Sequence, residues 1–267
     1  MKSSPVEIDR VACLDVIRGF ALLGILLVNI LSFGGISALA FNPTLSLTRA
    51  SDFWLWVFVE LTTEGAMRAM FSMLFGAGVL IFLSRGSDRK NLHFKHTFWL
   101  LIFGLINGYI FMWPGDILFT YALAGFATYF LSDKSAKTMF IISTVLFSLL
   151  CVYTLMLNIG LDYLRQVARY DQFVENEWRQ FYEIFAPSET IIQEELSMRK
   201  GSFFALITWS ATAYTSMIFE LIPILLIWDV IIFMFIGMTL YKCEVFQGLL
   251  SDRFYLIFSA VGFSFGI

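Results

Sequence analysis

Long apolar runs separated by short polar stretches divide the chain. Residues 16–33 contain only Arg18, Asn29 and Ser32 as side chains hostile to lipid, and about 18 residues just suffice to cross the hydrocarbon of a bilayer. Similar runs recur at residues 67–83, 97–113, 117–131, 138–160 and 221–241. A last one begins at residue 254 and stops after about 14 residues, too few to cross. The pattern predicts an all-α fold: a polytopic transmembrane helical bundle of about six full spans plus an incomplete seventh, with amphipathic interfacial helices beside it.

The polar stretches set the order of the spans. A helix starting at Asp52 carries Trp54 and Trp56 near its beginning, residues that favour the membrane–water boundary. Glu60, Glu64 and Arg68 follow at i, i+4 and i+8, one charged stripe if the helix continues. Residues 84–96 read SRGSDRKNLHFKH, the strongest cytoplasmic signal in the chain because basic loops stay inside. Pro114, Gly115 and Asp116 make a tight outer turn between the third and fourth runs, with Asp116 placed to cap the helix that follows. Residues 161–202 hold more acids than bases and repeat apolar residues at helical spacing, so they predict an extracytoplasmic amphipathic segment broken near Pro187 and Ser188. Residues 203–217 read as a separate interfacial or partly inserted helix before the sixth span. Counting crossings from the basic loop puts the N-terminus in the cytoplasm. The first run resembles a signal peptide only superficially. Glu7, Asp9 and Asp15 offset its positive charge, so a retained anchor is expected.

The candidate chemistry lies in polar groups set into oil. Arg18 and Asn29 are about three turns apart and share a face, and Asp15 precedes Arg18 by one turn. Such groups at membrane depth line a bundle interior or a wet cavity. Two readings stand: an Asp15–Arg18 anchor with Asn29 tying a neighbouring helix, or a polar stripe lining a substrate cavity. Asp116 likewise reads as a helix cap or as part of an outer polar cluster with Asn107, Thr120 and Tyr121. Glu64 and Arg68 read as solvated interfacial charges or as the rim of a cavity. Asp229 falls near mid-membrane, where a carboxylate either binds a substrate or ion or holds helices together. His93 and His96 form an H-x-x-H pair without a third ligand in reach, and read as loop residues rather than a metal site.

Composition agrees with the pattern. The 267 residues are 58% hydrophobic and 18% aromatic, and mean hydropathy is +0.76. Charged residues are 15%, well below the roughly 25% of soluble domains. The net charge of −3 contains no basic block suited to nucleic acid. Cys13, Cys151 and Cys243 are scattered and imply neither a disulfide framework nor a metal site. The lipid bilayer is the partner these features require.

Several stretches carry a resemblance. Residues 14–25 (LDVIRGFALLGI) are followed by Val28-Asn29-Ile30, then Leu74-Phe75-Gly76-Ala77-Gly78, Trp113-Pro114-Gly115-Asp116-Ile117-Leu118 and Phe235-Ile236-Gly237-Met238. In order and spacing they resemble the YeiB-like family of bacterial inner-membrane proteins. The family implies a multi-pass protein of the cytoplasmic membrane, and one longer than this chain. Through Asp15, Arg18, Gly19, Val28 and Asn29 it is also similar to transmembrane acyltransferases of the heparan glucosaminide acetyltransferase type. That likeness implies acyl-CoA as donor and an envelope glycan or lipid as acceptor. Arg18 would hold the anionic donor, Asn29 would polarise the acyl carbonyl and Asp116 would be the acid–base candidate. YeiB-like proteins commonly show a histidine shortly before Gly-Asp-Ile-Leu, where this chain has Asn107. The alternative from the residues themselves is a transporter component with Glu220, Asp229 and the Asp15–Arg18 pair as coupled groups. An inactive truncated scaffold is the third.

Overall fold

The computed structural model describes residues 12–40, 42–45, 49–63, 65–84, 86 and 89–266. Among them there is no strand. The helices are α1 (Ala12–Gly34), α2 (Ala50–Thr62), α3 (Ala66–Leu83), α4 (Arg89–Tyr109), α5 (Leu118–Leu131), α6 (Ala136–Val167), α7 (Gln172–Tyr182), α8 (Glu189–Arg199), α9 (Phe203–Ser216), α10 (Ile227–Lys242) and α11 (Asp252–Gly266). A π-helical segment, Met217–Leu226, joins α9 to α10.

The core is the junction of α10 with α3, α5 and α6. Glycines make its closest approach. A Cβ on Gly76 would strike the backbone carbonyl of Met234, and one on Gly237 would strike that of Met73. The two helices therefore press backbone against backbone in a reciprocal pair of notches, the way small residues bring helices together where burial from water gives no drive. Met139, Met234 and Met238 fill the remaining space and are fully buried. Gly104 brings α4 against α5 in the same manner, with its missing Cβ 2.5 Å from the amide of Phe119.

Outside this core the helices are bare and apolar. Only 6% of the apolar stretch of α6 is buried. A surface of that size and hydropathy requires a hydrocarbon solvent. Three stretches, Ala50–Leu83, Ala136–Val167 and Phe203–Lys242, are long and apolar enough to cross a membrane, and Leu118–Leu131 is a shorter apolar helix. The protein is a helical membrane protein.

Three local expectations differ from what is found. Residues 203–217 are not a separate element: helix runs without interruption from Phe203 to Lys242. Pro223 does not break it, because the surrounding turns pair five residues apart, as in Ile227 N–H to the Ile222 carbonyl, and the indole N–H of Trp228 donates to the Pro223 carbonyl at 3.0 Å. Glu60 and Arg68 do not share one helix, since the chain turns at Thr63 and restarts with Gly65 as N-cap. Glu64 lies outside the described residues. His93 and His96 are not in a loop but in the first turns of α4.

The segment after α6 folds back over the α1–α2 connection. Glu195 accepts from the amide and hydroxyl of Ser37, both at 2.9 Å. Arg199 donates to the Gly35 carbonyl and stacks on Trp209, 4.8 Å from the ring centre. Asn42 donates to the Phe185 carbonyl at 3.0 Å.

Candidate functional site

The polar residues of the apolar helices sort into two pockets and one dry knot. The first pocket, about 290 Å³, lies between α1, α3 and α4. Arg18, His93, His96 and Thr97 supply its polar wall, and Phe71, Phe75 and Phe82 its aromatic one. Gly78 lets Arg18 in: the guanidinium lies 3.0 Å from where a Cβ would stand. From there it reaches the Leu74 carbonyl and the Asp15 carboxylate, each at 3.4 Å, the long end of the hydrogen-bond range. Arg18 is half-buried and its charge is only loosely held. Phe82 is flanked by two nitrogen groups, the Arg89 guanidinium 5.3 Å from its centre and the stacked His96 ring at 6.5 Å. Arg18 in the wall and Arg89 beside Phe82 thus set guanidinium charge next to an aromatic lining.

His93 is buried, with its Nε2 3.1 Å from the Gly125 carbonyl on α5. Nε2 carries the proton in this arrangement and Nδ1 is left as an acceptor. Burial pushes the His93 pKa below the ordinary imidazole value, and His96 adds to the effect against the raising influence of the carbonyl.

The second pocket, about 180 Å³, sits at the opposite end of the same helices. Asn29, Thr63, Arg68 and Tyr121 supply its polar groups, and Gly115 and Ile117 bring in the α4–α5 turn. Met217 and Leu226, the first and last residues of the π segment, border it as well. Such segments recur at functional sites. Arg68 Nε bonds Asp229 Oδ2 at 3.0 Å, which ties α3 to the first turn of α10.

Between the pockets stands Tyr121. Its ring centre is 5.4 Å from those of both Phe71 and Phe75. Its hydroxyl meets Ser72 Oγ at 2.6 Å and the Arg68 carbonyl at 3.4 Å.

The knot is Asp116. Its carboxylate is 1% exposed and takes three donors: the Asn107 amide at 2.8 Å, the Phe119 amide at 2.9 Å and the Tyr214 hydroxyl at 3.4 Å. The Tyr214 hydroxyl shares its one proton between this carboxylate and the nearer Gly104 carbonyl at 2.9 Å, and its ring fills the notch at Gly108. Asp116 thus caps α5 and also locks the α4–α5 hairpin to α9. The expected outer cluster divides here. Asn107 and Asp116 meet, Tyr121 turns to Ser72 instead, and Thr120 Oγ1 is buried without a hydrogen-bond partner among the described residues.

Arg18 and Asn29 consequently line different pockets, Arg68 and Asn29 share one, and Asp229 reaches that one through Arg68. The histidines, read from the sequence as loop residues, line the first pocket from α4. The signal for them was their i, i+3, i+4 spacing with Thr97, which puts all three on one face of α4. Among the described residues no group of three or more His, Cys, Asp or Glu side chains is arranged to hold a metal.

Comparison with known proteins yields relatives that match part of the chain. The chain is similar to YeiB. The Escherichia coli K12 protein of that name, uncharacterised, is 40% identical over 118 residues, which are 44% of this chain and 30% of YeiB. The uncharacterised YxaH of Bacillus subtilis 168 is 28% identical over 158 residues, 54% of this chain and 38% of YxaH. An uncharacterised 39.9 kDa protein from the amylase 3′ region of Bacillus acidopullulyticus is 36% identical over 126 residues, 45% of this chain and 34% of that protein. The chain thus spans about a third of the length of the curated relatives it matches. No family model and no solved structure matches.

Proposed function

We propose that this is a transmembrane acyltransferase that takes an acyl group from a cytoplasmic acyl-CoA and delivers it to a hydroxyl of an envelope glycan or lipid. The supporting observation is the Arg18 pocket. A pocket with Arg18 and His96 in its wall, phenylalanine rings lining the rest and Arg89 beside Phe82 suits a ligand that is anionic at one end and apolar at the other. Acyl-CoA has this form: phosphates for the guanidinium groups and a thin acyl-bearing arm for the aromatic lining. In the transfer the acceptor oxygen bonds the acyl carbon, the carbon–sulfur bond breaks and the hydroxyl proton ends on the thiol.

Six spans with the N-terminus in the cytoplasm fit this reading. In that topology the basic stretch at residues 84–96 and the Arg18 pocket lie on the inner side, where the donor is made, and the Asn29 pocket on the outer side. The Asn29 amide then polarises the acyl carbonyl and the Arg68–Asp229 pair fixes the pocket wall. Asp116, with its oxygens committed to three donors, holds the hairpin in place rather than moving a proton.

The test is transfer of radiolabelled acetyl from acetyl-CoA to material of the membrane fraction. The expected result is label in a glycan or lipid product, lost with Arg18→Gln and with Asn29→Ala. Absence of transfer with the intact protein in its native membrane rejects the reading. The Arg68–Asp229 pair beside a membrane pocket supports a second one, a carrier coupled to an ion or proton. That reading predicts uptake abolished by Asp229→Asn without any covalent product.

A further inference from the structure

We infer that Tyr121, with Phe71 and Phe75, forms an aromatic partition between two pockets that open to opposite faces of the membrane. The inner pocket ends on Phe71 and Phe75, and the outer pocket includes Tyr121. The Tyr121 ring touches both phenylalanines, each at 5.4 Å between ring centres, so aromatic rings in contact stand between the two spaces. The openings point apart. The inner pocket uses the start of α1, the end of α3 and the start of α4, whereas the outer one uses Asn29, the beginning of α3 and the turn after α4.

The layer is held by core packing, with Ala124, Val230 and Met234 beside Tyr121. Tyr121 is 2% exposed, and its hydroxyl is anchored across helices to Ser72 and the Arg68 carbonyl. Arg68 itself is tied to Asp229, three residues beyond the π segment that borders the outer pocket. Displacement of the Tyr121 ring leaves only Phe71 and Phe75 between the spaces, and their movement into the vacated volume would join them into a path along α1 and α3. A path closed by these rings suits a slim apolar group, such as a short acyl chain on its thioester arm, and excludes free passage of ions. The inference rests on the acyl-transfer reading for what passes through, but not for the existence of the partition.

Cysteine accessibility tests it without any acyl donor. In a background with Cys13, Cys151 and Cys243 changed to serine, His96→Cys marks the inner pocket and Asn29→Cys the outer. A charged, membrane-impermeant methanethiosulfonate is added to inside-out or right-side-out vesicles. With the rings intact, each introduced cysteine is expected to label from one side only, and the two from opposite sides. Adding Tyr121→Ala should make the Asn29→Cys protein label from both sides, whereas Tyr121→Phe, which keeps the ring, should leave it one-sided. If Tyr121→Ala fails to assemble, Phe71→Ala thins the same layer and carries the same expectation. Labelling of both cysteines from one face, or one-sided labelling that survives ring removal, overturns the partition. Loss of acetyl transfer alone would leave it standing.

Discussion

At the scale of single residues, the structure turns on which buried polar group has a full set of partners. Asp116 has three donors converging on it, so Asp116→Ala strands the Phe119 amide N–H and the Asn107 side-chain amide in a buried site, while the Tyr214 hydroxyl keeps the Gly104 carbonyl. An unsatisfied buried group costs about 1–3 kcal/mol, and thermal unfolding in detergent should show a loss of about 3 kcal/mol or more. A change within a few tenths would mean that water reaches the knot. The capping role of Asp116 and its meeting with Asn107 were both legible in the sequence. Tyr214 was not, because nothing in the spacing of α9 says that its hydroxyl reaches a carboxylate 98 residues away in the chain.

His93 gives a pH prediction of definite sign. Its pKa in the fold lies below the ordinary 6.5, first because burial disfavours the imidazolium. The unfolded chain then binds the proton more readily than the folded one. Stability is at its full value above about pH 6.5 and falls as the pH drops through and below it. The midpoint of thermal unfolding should decline on acidification over that range. His93→Gln should remove much of this slope, and an unchanged slope would refute the assignment.

At the scale of elements, backbone contact between α3 and α10 holds the molecule together. Gly237→Ala would place a methyl group on the Met73 carbonyl, and only a shift of a whole helix relieves it. Overpacking of this kind costs about 1–3 kcal/mol, measurable as a lowered unfolding midpoint. Gly19→Ala, whose Cβ would meet nothing within 4 Å, should be neutral by the same measure. The apolar runs at 67–83 and 117–131 coincide with α3 and α5, whereas α4 already begins at Arg89 and α6 continues to Val167, because polar residues extend a helix without extending the apolar signal. The runs also misplaced the boundary near residue 217. A proline and an acid in an apolar run resemble a break, and periodicity cannot reveal that i→i+5 pairing and a tryptophan N–H absorb the proline.

At the scale of the whole molecule, two pockets share one bundle, with the Arg18 mouth at one end and the Asn29 chamber at the other. The sequence supplied the polar residues but not their grouping. Arg18 and Asn29 share a face of α1, yet their pocket partners come from α3, α4 and the α4–α5 turn, and only the packing of those helices decides who meets whom. The Arg18 pocket, with its aromatic wall, carries the functional account, and ligand binding tests it before any turnover is measured. Acetyl-CoA titrated calorimetrically into the protein in nanodiscs should bind saturably, with affinity sharply reduced by Arg18→Gln and retained with Asp229→Asn. No saturable binding, or binding indifferent to Arg18, would contradict it.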